Sequence, residues 1–270
     1  MLKKHFDQHI HSSFSFDAEP EAFMDRMIRA AAEKGFAGVA ITDHLDPLWP
    51  DDECPSTLDV PEYEAALDKA GRSPGDRIQV AKGVELGFIP GEALEICRAV
   101  VSAWPYDFVI GSVHSSATMP VDKPLFAEGR PMRDVIDEYY TILLESVRVF
   151  NDYDVLGHLN YIDRYTDGFA PESLYMPYAD EIMKITIAGG KGIEINTSAF
   201  RYDIGGRGTP TMAILRRFRE LGGEIVTIGS DAHRIGDVGA LVEDGEEMLL
   251  AAGFRYMAVY MERRPEFIKL

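Results

Sequence analysis

Short apolar runs alternate with longer amphipathic segments along most of the chain. After an opening strand over residues 6–11, further runs typical of strands buried on both faces lie at 36–42, 77–84, 108–113, 154–157, 192–193 and 224–228. Apolar residues at helical spacing predict helices between them, at 20–34, 61–71, 91–103, 132–152, 178–188, 211–221 and 238–251. This succession predicts an α/β fold, a TIM-barrel-like (βα)7 barrel of parallel strands. Residues 256–260 predict one more strand.

No linker, low-complexity segment or longer repeat divides the 270 residues, so we expect a single domain over residues 1–270. A hydrophobic content of 46% is enough for a sizeable core. The formal net charge of −18 argues against a nucleic-acid partner, which needs a basic surface. No apolar run reaches the ~20 residues of a membrane span, and the N-terminus has no signal-peptide core. The two cysteines, Cys54 and Cys97, are far apart, and these features predict a cytoplasmic protein without disulfides.

Nearly every predicted strand ends at an ionisable residue. In a parallel barrel the carboxyl ends of all strands face one mouth, where the chemistry of such folds is found. Each residue alone is as easily explained by a helix cap, a core histidine or a solvated carboxylate. Six of the seven histidines share this position, however, and such convergence predicts a metal site at the mouth. The residues are His9, His11, His44, Glu85, His114, His158, Glu194, Asp231 and His233.

Imidazoles and carboxylates without thiolate favour Zn, Fe or Mn over Mg or Ca. The set exceeds one tetrahedral shell, so we expect two or three ions with one carboxylate bridging two of them. Arg164 and Arg201 follow His158 and Glu194 by a few residues, in loops on the same face. Each arginine is also explained by an ordinary salt bridge. Guanidinium groups beside metal ions match the oxygens of a phosphate, which predicts a phosphoesterase acting on a small phosphorylated substrate.

Several segments, taken together, resemble a known family. They are Asp7-Gln8-His9-Ile10-His11-Ser12, Ile41-Thr42-Asp43-His44, Gly83-Val84-Glu85, Gly111-Ser112-Val113-His114-Ser115, Leu156-Gly157-His158 and Gly229-Ser230-Asp231-Ala232-His233. In this order, over nearly the whole chain, they resemble the successive motifs of the polymerase and histidinol phosphatase (PHP) family. Asp163-Arg164-Tyr165 and Glu194-Ile195-Asn196-Thr197-Ser198, with Arg201, resemble its histidinol-phosphate phosphatase branch.

The resemblance implies a distorted seven-stranded barrel with up to three metal ions, and hydrolysis of L-histidinol phosphate in histidine biosynthesis. The implied ligand groups are His9, His11, Glu85 and Asp231; the bridging Glu85 with His114 and His158; and His44, His233 and Asp17. Many relatives have a histidine in the place of Asp17, so the occupancy and the identity of the third ion stay open.

As a mechanism we expect a hydroxide that bridges two ions to attack phosphorus in line. Arg164 and Arg201 would hold the non-bridging oxygens of the phosphate, and His233 or an associated water would protonate the leaving group. Asp43 would orient a ligand histidine.

Other functions are compatible with parts of this pattern. A PHP-type phosphoesterase acting on a nucleotide or a sugar phosphate would carry the same motifs. A metal-dependent amidohydrolase also opens with His-x-His, but the lysine that such enzymes usually carry at a mid-barrel strand end is missing. A metal-stabilised barrel without activity is a third possibility, and the complete ligand set argues against it. The oligomeric state and the role of Glu194 stay open.

Overall fold

The apolar runs form parallel strands, as the alternation of strands and helices predicts. The computed structural model describes residues 5–51, 58–70, 78–202 and 208–270. The barrel strands are β1 (Phe6–Ile10), β2 (Gly38–Ile41), β4 (Gln79–Gly87), β5 (Phe108–Ser112), β6 (Val155–Leu156), β7 (Gly192–Asn196) and β8 (Val226–Gly229). A two-residue strand, β3 (His44–Leu45), pairs with β4 at Glu85 and Leu86.

The barrel strands follow one another in the order β1-β2-β4-β5-β6-β7-β8, and every pair is parallel. β8 returns to β1, where an isolated parallel bridge joins Ile10 to Ala232. Two backbone hydrogen bonds cross this seam, from His11 N to Ala232 O at 2.9 Å and from Asp231 N to His9 O at 2.8 Å. The predicted (βα)7 barrel in a single domain is therefore confirmed, and its closing contacts lie where the candidate ligands are.

Helices cover the outside of the barrel. They are α1 (Met24–Glu33), α2 (Val60–Ala70), α3 (Glu92–Ala103), α4 (Pro124–Ala127), α5 (Met132–Val149), α6 (Glu172–Ala188), α7 (Ser198–Arg201), α8 (Met212–Glu220) and α9 (Val242–Ala251). In α5, Val135, Tyr139 and Leu143 are buried at helical spacing and join the core between helices and sheet. Within the described ranges no helix has the length and apolar character to cross a membrane, and the predicted cytoplasmic location stays a prediction.

A hairpin closes the base of the barrel. β9 (Tyr256–Met261) and β10 (Arg264–Lys269) are antiparallel and form a separate sheet. The ring of Tyr260 lies inside the barrel, 5.0 Å from the ring of Phe108. Glu262 N donates to Oδ1 of Asp107, the residue before β5, at 3.0 Å. The hairpin thus contacts the amino ends of the strands and leaves the opposite mouth open.

Some boundaries differ from the sequence predictions. The helix predicted from residue 178 begins at Glu172 and continues through Pro177, because its inner face, including Tyr175, is buried on both sides of the proline. The strand predicted over 256–260 forms, but it pairs with β10 and not with the barrel, and β10 itself was not predicted. Cys97 is buried and free, and Cys54 lies outside the described residues.

We expect Tyr260→Ala to lower the free energy of unfolding by about 3 kcal/mol, because it empties the barrel base of a buried aromatic ring. Urea unfolding measures the change. Phe267→Ala in the same hairpin is the control, since that ring is 48% exposed and its loss should change stability by less than about 1 kcal/mol. Equal losses of unfolding free energy for the two variants would contradict the stabilising role of the Tyr260 ring in the barrel base.

Candidate metal centre

The first group of candidate ligands lies at the seam between β1 and β8. His9 is in β1 and His11 follows it, so both rings point inward, with their Nε2 atoms 2.9 Å apart. Glu85 Oε2 lies 3.2 Å from His9 Nε2 and 3.4 Å from His11 Nε2. Asp231 Oδ1 lies 3.8 and 3.4 Å from the same two atoms. Ligand atoms about 2.0–2.2 Å from a tetrahedral ion are roughly 3.3–3.6 Å apart, so this spacing suits one ion.

Glu85 also faces a second group. Its Oε1 lies 2.9 Å from His158 Nε2 and 3.3 Å from His114 Nε2. The two Nε2 atoms are 3.2 Å apart. One carboxylate therefore offers one oxygen to each group, which is the arrangement that a bridging ligand requires.

The third group is nearer to solvent. Asp17 Oδ1 lies 3.6 Å from His44 Nε2, and Asp17 Oδ2 lies 3.2 Å from His233 Nε2. The ring of His11 packs beside both rings, with centroids 4.2 Å from His44 and 4.0 Å from His233. The Asp17 side chain is 43% exposed, more than that of any other predicted ligand.

Three atoms of these groups, Glu85 Oε2, His44 Nδ1 and His233 Nε2, are buried without a hydrogen-bond partner in the described parts of the chain. Polar atoms left in that state are costly. His9 Nδ1 lies 2.6 Å from Glu194 Oε1, and His11 Nδ1 lies 2.9 Å from Ser15 Oγ, so both rings turn Nε2 to one point. A divalent ion at that point would take the place of any proton that the two Nε2 atoms hold without metal. The residues present therefore fit divalent metal ions.

Two buried carboxylates contact the Nδ1 atoms of ligand histidines, on the side of the ring away from the candidate ion. Glu194 Oε1 contacts His9 Nδ1 at 2.6 Å, and its Oε2 accepts a hydrogen bond from His158 N at 3.0 Å. Asp46 Oδ1 contacts His114 Nδ1 at 2.9 Å. Such contacts fix the ring and direct Nε2 to an ion. The sequence predictions include Glu194 without a role and do not include Asp46, although Asp46 follows His44 by the two residues that place strand side chains on one face.

Asp43 reaches a ligand histidine through a serine. The carboxylate is fully buried, and its Oδ1 accepts a hydrogen bond from Ser15 Oγ at 2.7 Å. Since the Ser15 hydroxyl hydrogen is used there, its oxygen accepts from His11 Nδ1 at 2.9 Å. Asp43 therefore contacts the serine that holds His11 Nδ1, and its predicted role in orienting a ligand histidine stays a prediction.

Arg164 is the predicted arginine that lines the cleft above the ligands. Its guanidinium lies between two aromatic rings, 4.8 Å from the centroid of Tyr161 and 4.6 Å from that of Tyr202. It donates to Ser198 Oγ and lies 3.9 Å from Asp231 Oδ2. The side chain is only 8% exposed, so its direction is fixed by packing.

Arg201 has a different environment. It donates through Nη1 to Ser230 O at 2.7 Å and through Nη2 to Asp231 O at 3.1 Å. Asp231 has a φ of +53°, a left-handed conformation that residues other than glycine seldom adopt. Asp7 also holds this segment, because its carboxylate accepts hydrogen bonds from Ser230 N and Oγ at 2.8 and 2.6 Å. The structure thus directs Arg201 to the ligand-bearing backbone and not into the cleft, and its predicted phosphate contact stays a prediction.

The carboxylates set the charge of the imidazoles around them. Burial opposes the charge of His9, but Glu194 and Glu85 raise the pKa of this ring well above its usual value. Burial also opposes the charge of His114, yet Asp46 and Glu85 raise its pKa to about 9. Conversely, burial favours protonation of Glu85, and His9 and His114 hold its pKa well below the usual range. Without metal, the imidazoles of His9 and His114 are therefore protonated, at positions where ions would bind.

The ligand groups open into a cleft of about 460 Å³. The metal side of the cleft is formed by His44, His114, His158, Asp231 and His233. Aromatic side chains, further carboxylates and two arginines form the other walls; they are Phe16, Trp49, Tyr161, Tyr165, Tyr202, Asp17, Glu19, Asp122, Arg164 and Arg234. The cleft is large enough for a small organic phosphate.

Comparison with known proteins identifies relatives over nearly the whole length. The PHP domain model matches residues 7–198. A relative from Clostridium acetobutylicum, described as a probable histidinol-phosphatase, is 29% identical over 96% of this chain and 97% of its own. The histidinol-phosphatase of Lactococcus lactis is 29% identical over 95% of this chain and 94% of its own. A crystal structure of histidinol phosphate phosphatase from Lactococcus lactis, complexed with Zn, L-histidinol and phosphate, matches with a TM-score of 0.87 at 26% identity, covering 97% of this chain and 99% of that one.

We expect Glu194→Gln to weaken Zn²⁺ binding roughly 10- to 100-fold, because the amide no longer fixes His9 as a charged acceptor does. Competition with a chromogenic chelator measures the affinity. Glu181→Gln is the matched control, since Glu181 pairs with Lys184 on the surface of α6. Equal affinities of the two variants would show that Glu194 does not support the site.

Ion binding should release protons. Without metal, the pKa of His9 is well above its usual value and that of His114 is about 9, so both rings hold protons at pH 7. An imidazole must lose its proton to bind a metal, so affinity should fall as the pH decreases and level off only above pH of about 9. Calorimetry with Zn²⁺ at pH 7, in two buffers of different ionisation enthalpy, should give different apparent enthalpies. The same enthalpy in both buffers would contradict the proton release.

Proposed function

The chain belongs to the PHP domain family, and we propose that it is a metal-dependent phosphomonoesterase that hydrolyses L-histidinol phosphate to L-histidinol and inorganic phosphate. The observation that carries this proposal is that several buried groups of metal-binding side chains meet at one mouth of the barrel, below a small cleft lined by the buried Arg164. The similar Lactococcus lactis structure, which holds Zn, L-histidinol and phosphate, supports the substrate. We propose that residues 1–270 form one such catalytic domain.

We propose two ions in the inner groups that share Glu85, and an exchangeable third ion with Asp17. The donor set of imidazoles and carboxylates suits Zn, Fe or Mn. Bound there, such ions would make water a stronger nucleophile and offset the charge of the phosphate. The exposure of Asp17, at 43%, supports a weaker hold on the third ion than on the others.

Arg164 is the residue that we assign to the phosphate. Its ring contacts hold the guanidinium in place before a substrate arrives, so little freedom is lost on binding. Its Nε has no hydrogen-bond partner among the residues that the structure describes. A charged N–H in this position would donate to a phosphate oxygen and would favour the dianionic ester over a neutral one.

His233 has two proposed roles, ligand of the third ion and proton donor to the leaving oxygen. Its Nδ1 lies 3.1 Å from Asp231 O, so this nitrogen donates to the backbone. Only Nε2 is left, 3.2 Å from Asp17 Oδ2. The two roles therefore exclude each other at any moment, and we propose that His233 acts as the acid when the third ion is absent.

We expect Arg164→Ala to raise KM for L-histidinol phosphate roughly 10- to 100-fold, because one charge-assisted contact to the phosphate is lost. Steady-state phosphate release measures KM and kcat. Arg164→Lys should recover only part of the loss, since lysine lacks the planar group that stacks between the tyrosines.

Metal content is measured in parallel, because Arg164 lies 3.9 Å from the candidate ligand Asp231. Arg216→Ala is the control for charge, since Arg216 is exposed on α8. An unchanged KM in Arg164→Ala at full metal content would refute the assignment. The same assay on Arg201→Ala separates its two roles: a raised KM at full metal content supports the predicted phosphate contact, and lost metal supports the backbone contact.

The substrate itself is tested with a panel of L-histidinol phosphate, nucleoside monophosphates and sugar phosphates, after loading with Zn²⁺, Mn²⁺ or Fe²⁺. We expect kcat/KM for L-histidinol phosphate to exceed the others by at least about 100-fold, or roughly 2.7 kcal/mol. Equal and slow turnover of all esters would overturn the substrate while leaving the phosphoesterase. No turnover of any ester would favour a metal-stabilised scaffold.

A further inference from the structure

The cleft has an inner end that carries the ligand groups and Arg164. Its remaining walls carry the carboxylates of Asp122 and Glu19 and one further arginine, Arg234, whose Nε is paired with Asp237 Oδ2 at 3.1 Å. Asp122 lies in the segment between β5 and α4. Its carboxylate forms no ion pair with a basic side chain in the described ranges, and the adjacent Lys123 is bound to Asp51 Oδ2 at 2.7 Å. The negative charge of Asp122 is therefore available to a ligand in the cleft.

The space beside Asp122 continues beyond the cleft. A second cavity, of about 670 Å³, shares Asp122 and Tyr165 with the cleft. Its other walls include two more acidic side chains, Glu128 and Asp167. Among the described residues, the basic side chain that lines it is Arg130, which is bound to Glu138 Oε2 at 2.6 Å. A group that extends from the cleft past Asp122 thus enters surroundings that favour positive charge.

The wall that leads to Asp122 is aromatic. Tyr165 donates through its hydroxyl to the hydroxyl of Tyr161 at 2.7 Å, and Tyr161 stacks on Arg164 at the inner end. Arg164 is buried, and its Nε lacks a partner among the described residues, which indicates that an anion belongs at this end. A ligand anchored there by its phosphate would lie along the tyrosines with its far end at Asp122.

We propose that Asp122 binds a cationic group on the alcohol part of the substrate and makes the cleft selective for phosphate esters of amino alcohols. This inference rests on the proposed function, which supplies the phosphate at the inner end. An ammonium group would form a charge-assisted hydrogen bond with the carboxylate. A sugar or nucleoside phosphate offers no such cation and would leave the Asp122 carboxylate partly dehydrated without a partner, so the same residue disfavours it.

The test compares two esters that differ only in the amine, L-histidinol phosphate and 3-(imidazol-4-yl)propyl phosphate. We expect wild-type protein to prefer the amino ester, and Asp122→Asn to reduce the ratio of the two kcat/KM values roughly 10-fold. Asp134→Asn, on the exposed side of α5, removes the same charge outside the cleft and should keep the wild-type ratio. An equal ratio in wild type and Asp122→Asn would overturn the inference.

Binding of L-histidinol without phosphate gives a readout that needs no turnover. Calorimetry is carried out with metal-loaded and metal-free protein, and we expect Asp122→Asn to raise Kd roughly 10-fold in both states. Equal Kd values for Asp122→Asn and Asp134→Asn would overturn the inference, whatever the enzyme hydrolyses. If wild type hydrolyses neither ester, the proposed function fails, and the binding result alone decides the role of Asp122.

Discussion

The buried carboxylate of Glu85 is the charge around which the mouth of the barrel is built. It lies within β4 and is fully buried, and each of its oxygens faces imidazoles of a different group. A carboxylate in such a place is strongly destabilising unless positive charge is close on every side. The parallel register provides that charge, because His44 of β3 lies directly opposite Glu85 and the next strands bring His114 and His158 to the same level. The imidazoles that make the burial of Glu85 possible are thus the same side chains that are the candidate metal ligands.

Much of this arrangement is readable from the sequence, because parallel strands buried on both faces leave continuous apolar runs and their ends fall on one side of the barrel. That rule brings residues as distant as His9 and Asp231 together without any knowledge of packing. The hairpin strand Arg264–Lys269 has no comparable signal, since most of its residues are exposed. The support of His114 by Asp46 depends on which way two side chains turn, and a sequence pattern does not determine that.

Arg164 and Arg201 also show that a sequence pattern does not determine the direction of a side chain. Both follow a strand-end residue by a similar number of positions, which is all that the sequence reveals. Packing between two tyrosines turns Arg164 toward the cleft, whereas the carbonyl groups of Ser230 and Asp231 draw Arg201 away from it. The net charge of −18 does not argue against a phosphate ligand, because divalent ions bound at the inner end would reverse the local field there.

The barrel closes at the seam between β1 and β8, where the backbones of the two strands are in direct contact. Gly229 passes so close to β1 that a Cβ there would lie 2.2 Å from His9 Cβ, and the first ligand group takes His9 from one side of the seam and Asp231 from the other. An ion bound by both residues would link the first and the last barrel strand, and it would stabilise the closed form by a free energy that grows with the logarithm of its affinity. By the same linkage, a substitution far from every ligand that loosens β1 against β8 would weaken metal binding.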